Sequence, residues 1–146
     1  MAQAVAQGAA CEAGIACKLM HAAEVNTSDV LSADAYVWVT PETLGSMSGL
    51  MKDFFDRTYY GVLDRLPGRA CAVLVCAGSD GQQAVRQIQR INTGLRLREF
   101  CEPLIVCTHS QTTQAILAEK TIGEADLARC QMLGASLAAG LEMGLF

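Results

Sequence analysis

The sequence has no apolar run near the roughly 20 residues that a bilayer-spanning helix requires. Its longest apolar stretches, Ala70 to Gly78 among them, fall well short of that. No positive segment followed by an apolar block opens the chain, so no secretory leader is expected. Gly8-Ala-Ala-Cys11 has the outline of a lipidation box, but nothing before it in the sequence could enter a membrane. Charge is also scarce: charged residues make up 18% and the net charge is −4. That excludes a basic face for nucleic acid and an acidic run of the kind that docks an electron-transfer partner. Histidines number two, and no C-x-x-C pair is present. The nearest cysteine pairs, Cys11/Cys17, Cys71/Cys76 and Cys101/Cys107, lack zinc-site spacing, so no metal centre is expected. Seven cysteines, an odd number, fit small buried side chains in a reducing compartment, hence a cytoplasmic protein.

What the chain does have is apolar residues, at 51% of 146 positions. A single domain spanning residues 1–146 is expected, burying about two-thirds of its unfolded surface. Met1 to Ala10 is an alanine-rich helix with a stop at Gly8 and no capping residue at its start. Gly14 to His21 reads as a short strand with Ile15, Cys17 and Leu19 on one face, and Asn26 to Asp29 offers caps for a helical turn or two. Ala35 to Val39, Ala70 to Cys76 and Leu104 to Cys107 are continuous apolar runs suited to strands buried on both faces. They are predicted to be adjacent and parallel, in that order.

Helical periodicity fills the intervals. After Ser46, residues Met47, Leu50, Met51, Phe54, Phe55 and Thr58 fall on one face, with Lys52, Asp53, Asp56 and Arg57 opposite as solvated charges. Gly81 to Asn92 places Ala84, Val85, Ile88 and Ile91 inward. A last helix, Ala125 to about Met143, turns Leu127, Met132, Leu133, Leu137 and Leu141 inward. Strands alternating with helices predict an α/β fold with right-handed crossovers, a parallel sheet, and helices on both faces.

Two loops carry the chemistry. Thr40, Pro41, Glu42, Thr43, Leu44, Gly45 and Ser46 follow the first apolar strand; Ala77, Gly78, Ser79, Asp80 and Gly81 follow the next. Both are strand-to-helix junctions at the edge where open α/β sheets bind ligands. Pro41 removes a donor and fixes φ, while Gly45 and Gly49 permit a close backbone approach. Either loop alone serves equally well as an ordinary connector. Trp38, Tyr36, Tyr59 and Tyr60 are expected to pack rather than stack on a ligand, and His109 to be structural. Glu42 and Asp80 are candidates for steering a substrate, not for general acid or base chemistry.

The wording TPETLGSMSGLMKDFFDRTYY, with CAVLVCAGSDGQ after it, resembles the flavodoxin-like NAD(P)H-dependent FMN reductases and quinone reductases. The resemblance implies a three-layer flavodoxin-like fold and FMN held by the two loops, Thr40–Ser46 and Ala77–Gly81. It also implies NAD(P)H as co-substrate and a flavin or quinone as the small-molecule electron acceptor. Hydride transfer through a flavin asks for position and electronics from the protein rather than a catalytic side chain. The family's phosphate cradle is a Ser/Thr- and Gly-rich loop between its first strand and first helix. MAQAVAQGA matches the later part of that helix, so the first strand and cradle are not in this sequence; Met1 is either an internal methionine or the start of a shortened form. In the flavodoxin order 2-1-3-4-5 that strand separates Gly14–His21 from Ala35–Val39. The chain is therefore expected to bind FMN poorly and to form a homo-oligomer through the edge beside Ala35–Val39. The competing expectation is a non-catalytic flavodoxin-like oligomeric module; a flavodoxin-type electron shuttle is a third, disfavoured by the weak surface charge.

Overall fold

The three continuous apolar runs form the centre of the sheet in a computed structural model that describes residues 1–146. In chain order the elements are α1 (Ala2–Ala9), α2 (Thr27–Ser32), β1 (Ala35–Thr43), β2 (Ser46–Met47), α3 (Gly49–Val62), β3 (Ala70–Ala77), α4 (Gln82–Gly94), β4 (Arg98–Glu99), β5 (Leu104–Cys107), α5 (Thr113–Leu117) and α6 (Glu124–Glu142). β1 pairs parallel with β3 from Ala35↔Ala70 to Pro41↔Cys76, and β3 pairs parallel with β5 from Leu74↔Leu104 to Ala77↔Cys107. The predicted order and direction of the three runs therefore hold. β4 adds two residues to the same side of β3, in parallel, before β5 takes over.

Residues of β3 alternate between two cores, as a pleated strand requires. Cys71, Val73, Val75 and Ala77 face α3 and α4, where seventeen buried residues form one cluster. Its centre is aromatic: Tyr36 stacks on Trp38 at 5.0 Å between ring centroids, and Phe55 meets Trp38 edge-on at 5.3 Å. Asn92 is fully buried there, accepting the Trp38 indole N–H at 3.0 Å and donating to Glu99 at 2.9 Å. Ala72 and Leu74 face α1 and α6, where the buried cluster has only seven members. The two helices meet through glycine. A Cβ on Gly8 would lie 1.9 Å from the Gln131 carbonyl oxygen, and one on Gly134 2.0 Å from that of Val5.

Several expectations change. Gly8 does not end α1 but lies within it, because its missing side chain admits α6. Gly14–His21 is not a strand of the sheet. Ile15–His21 runs without turn or bend, yet β1's ladder partners are only β2 and β3, so the segment has no neighbour to pair with. Met47 leaves the helix for β2, and Leu50 is half exposed, since α3 starts at Gly49 under an N-cap from Ser48, whose Oγ accepts the Met51 N–H. On α6, Leu137 is buried as expected, but Met132 faces outward and Leu141 is only partly buried; Cys130, Gly134 and Ala138 complete the buried face. Tyr60 is 85% exposed and Tyr59 partly so, so only Tyr36 and Trp38 pack as predicted.

Other details refine the reading. Lys52 pairs with Asp56 as a solvated helix charge, whereas Arg57, besides pairing with Asp53, donates to the Ala22 and Val25 carbonyls and ties that loop to α3. Of the seven cysteines, Cys71 and Cys130 are buried, three are half-buried, and Cys11 and Cys17 are exposed. Burial pushes the Cys71 thiol up to about 12, with the Glu99 carboxylate adding to it. No helix is long and apolar enough to cross a membrane.

Candidate functional site

Thr40–Ser46 is expected to be a strand-to-helix loop. Most of it is a hairpin that prolongs β1 beyond the sheet: Glu42 pairs with Met47 and Thr43 with Ser46, antiparallel. Only Leu44 and Gly45 form the turn, with φ of 52° and 68°. Positive φ at both central residues is the signature of the tightest hairpin connection. Gly45 accommodates it without strain, but Leu44 is an unusual occupant. Its side chain is fully exposed at the tip.

The hairpin is anchored at three points. Thr40 Oγ1 accepts the Ser48 N–H at 3.2 Å. Gln87 Oε1, on α4, accepts both the Ser46 hydroxyl at 2.9 Å and the Met47 N–H at 3.1 Å. Glu42 reaches across to the second loop, where its Oε2 accepts the Gly81 N–H at 3.0 Å. Gly81 is the N-cap of α4, so this carboxylate sits at the positive end of a helix. Glu42 thus acts as a strut between the two loops rather than a free group for steering substrate.

The second loop has its own constraint. Gly81 has φ of 80°, and a Cβ there would lie 2.8 Å from the Ile105 side chain. Only glycine lets α4 begin this close to β5. Ser79 and Asp80 are exposed on the rim. The loop after β5 completes the edge: Thr108 N–H donates to the Ala77 carbonyl at 2.9 Å, and Thr108 Oγ1 pairs with Ser110 Oγ at 3.1 Å. His109 stands between them, exposed, with φ of 53°.

Residues Thr40–Ser46 and Ala77–Gly81 therefore lie side by side at the C-terminal edge of the sheet, joined by Glu42. Sequence reading missed Gln87, Thr108 and Ser110. The one available signal for the last two was their place just after a strand pointing at the same edge. No side chain here is arranged as an acid, base or nucleophile. The surface of this edge offers backbone and hydroxyl groups rather than ionisable ones.

A family model described as NADPH-dependent FMN reductase matches residues 5–100. A flavodoxin of Aquifex aeolicus (strain VF5) is 35% identical over 86 residues, which is 58% of this chain and 46% of that protein. The chain thus spans about half the length of the curated relative it matches. An archaeal flavodoxin superposes with a TM-score of 0.74 at 15% identity, over 96% of this chain and 87% of the other. A WrbA-like flavodoxin from Agrobacterium tumefaciens does so at 0.68 and 15%, over 97% and 87%. An NADPH-quinone reductase from P. pentosaceus reaches 0.61 at 15% identity, over 91% and 88%. At such identities these likenesses speak for the fold, which is flavodoxin-like.

Proposed function

The chain belongs to the NADPH-dependent FMN reductase family, and on that premise we propose that it holds the ring of FMN between its first two loops and passes reducing equivalents from NAD(P)H to a flavin or quinone. The observation that carries the reading is the Glu42–Gly81 hydrogen bond, which fixes a hairpin and a helix start as neighbours at one sheet edge. Bound there, the flavin would supply the hydride chemistry. The protein's part is orientation. Gln87 and Glu42 hold the hairpin, Gly81 lets α4 approach, and the exposed residues Ser79 and Asp80 would offer their amides to the ring. The apolar Leu44 at the hairpin tip would cover the ring and keep water from it.

Purified protein is examined for flavin absorbance, titrated with FMN, and assayed for NAD(P)H oxidation with FMN or a quinone present. Saturable binding with turnover supports the reading. Saturable binding without NAD(P)H oxidation would leave a flavin-binding module. Gly45→Val is the sharpest variant: nothing lies within 4 Å of a Cβ there, so its only effect is to strain a backbone at φ of 68°. FMN affinity should fall about tenfold, which is about 1.4 kcal/mol, with the fold intact by circular dichroism. Unchanged affinity in the folded variant would remove the hairpin from the site.

A further inference from the structure

The last turns of α3 and α4 carry side chains that the fold does not use. α3 buries Met51, Phe54, Phe55, Thr58 and Val62, and turns Tyr59, Tyr60 and Leu63 at its end to solvent. Tyr60 is the most exposed of the three, and the Tyr59 ring meets it edge-on at 5.1 Å. Large apolar side chains scattered singly on a surface need no explanation, but three so close in the chain form a patch. The end of α4 lies beside it. Both helices connect parallel strands, so they run the same way and finish at the same edge of the sheet. Two contacts join those ends: the Gly68 N–H donates to the Arg96 carbonyl at 2.9 Å, and Arg96 pairs with Asp64 at 3.2 Å. Charge also differs between the helices. On α3 and α6 the cations pair within their own helix, Lys52 with Asp56, Arg57 with Asp53 and Arg129 with Asp126. α4 has no acidic residue, and its Arg86 and Arg90 stand one turn apart, exposed and in no ion pair. Like charges at that spacing repel, so the helix itself gains nothing from them.

We infer that the joined ends of α3 and α4 dock an acidic segment of another protein. One or two large apolar side chains of that segment sit on Tyr59, Tyr60 and Leu63, and flanking carboxylates meet Arg90 and Arg96. Charge complementarity selects this occupant. Tyrosine and arginine are the side chains that most often carry binding energy at protein interfaces. Arginine takes a carboxylate through two parallel N–H bonds, a match that lysine and neutral groups lack. Arg96 already holds one carboxylate, that of Asp64, in a pair open to solvent on both sides. A second copy of this chain is a poorer fit, because a two-fold contact sets each patch against itself and arginine against arginine. A single nucleic-acid strand would also stack on tyrosine, but it asks for a continuous cationic groove along its backbone. Farther along α3 the cations are Lys52 and Arg57, each neutralised by its own acid.

The test uses the intact protein, without flavin, and a fluorescein-labelled peptide of sequence Glu-Glu-Leu-Phe-Glu-Glu, followed by anisotropy. Saturable binding is expected, weakened about tenfold in about 1 M salt, where charges are screened within about 3 Å. Replacing the central Leu-Phe by Ala-Ala, or all four glutamates by lysine, should abolish it. Tyr60→Ser and Arg90→Gln, both at exposed positions and so without effect on the fold by circular dichroism, should each weaken the peptide about tenfold. Arg129→Gln on α6 removes the same charge elsewhere and should leave binding unchanged. No saturable binding overturns the inference, and so does an Arg129→Gln loss equal to that of Arg90→Gln, which would reduce the effect to net charge. Tighter binding of a ten-residue oligothymidylate would make the patch a nucleic-acid surface. Self-association in sedimentation that Tyr60→Ser abolishes would make a second copy the occupant. Either result also overturns it.

Discussion

One face of the sheet is filled by aromatic side chains and the other by aliphatic and small ones, with glycines where its helices meet. Against α3 and α4, Tyr36, Trp38, Phe54 and Phe55 build an aromatic centre. Against α1 and α6, the sheet presents Ala72, Leu74, Leu104 and Val106, and the two helices touch through Gly8 and Gly134. The first core depends on volume present, the α1–α6 contact on volume absent. Conserving space is as strict a demand as filling it, because interiors are packed to crystal density.

The two faces should therefore fail in opposite ways. Phe54→Ala removes a ring that is 3% exposed and should cost about 4 kcal/mol. Gly134→Val adds atoms where a Cβ would lie 2.0 Å from one backbone atom and 3.0 Å from another, so α1 must shift; about 3 kcal/mol is expected. Chemical denaturation followed by Trp38 emission measures both. If Gly134→Val is tolerated within 0.5 kcal/mol, roughly the range of an ordinary surface change, the two helices do not meet as described and the contrast between faces collapses.

That contrast also explains what could be read from the sequence. The aromatic face was legible because Phe54, Phe55 and Met51 recur at helical spacing and because Ala35–Val39 and Ala70–Cys76 are unbroken apolar runs. The glycine face was not. Periodicity weights large residues, so on α6 it chose Met132, which faces solvent, and overlooked Gly134, which has no side chain to weigh. Gly14–His21 failed for another reason: its pattern suits a strand, but a strand also needs a neighbour, and no pattern within a segment records one. At the site, the two loops were legible from their position and wording. Glu42's role as a strut was not, since it depends on Gly81, thirty-nine residues away.

The aromatic face carries a second vulnerability, a buried polar one. Asn92 is 1% exposed and links the Trp38 indole to Glu99. Asn92→Ala strands the buried Trp38 N–H, while Glu99 keeps its bond from Gln89, and should cost about 2 kcal/mol, the desolvation penalty of an unmet buried group. Combining it with Trp38→Phe, which removes the orphaned N–H, should cost less than the sum of the two. Strict additivity in that double-mutant cycle would mean the indole hydrogen bond contributes nothing.

At the rim of the same face, α2 is held by a capping box: Asn26 Oδ1 accepts from Ser28 and Asp29, and Asp29 Oδ2 accepts the Asn26 N–H at 3.0 Å. Asn26→Ala should cost about 1 kcal/mol. Lys18 beside Asp29, and then the Asn26 amide, hold its carboxyl below the usual range. A depressed acid stabilises the fold above its unfolded pKa, about 3.9, and the benefit is lost as pH falls through the lower folded value. The stability difference between the native protein and Asp29→Asn should therefore be constant above about pH 5 and shrink below pH 4. A difference that grows with acid would mean the carboxyl titrates in the opposite sense.

The smallest expected effect compares the two faces through one kind of substitution. Gly94 closes α4 on the aromatic side; its φ is not positive, and nothing lies within 4 Å of a Cβ built there. Alanine at that position meets no neighbour in the folded state. It narrows the conformations open to the unfolded chain, so Gly94→Ala should stabilise the protein by about 0.5 kcal/mol. The same change at Gly8 puts a methyl group 1.9 Å from the Gln131 carbonyl oxygen and must destabilise. One chemical change with opposite signs isolates the packing term, because the loss of unfolded-state freedom is common to both. Denaturation midpoints at constant slope measure the pair. If both variants shift in the same direction, chain entropy and not helix contact governs the glycines, and the α1–α6 approach is looser than the geometry requires.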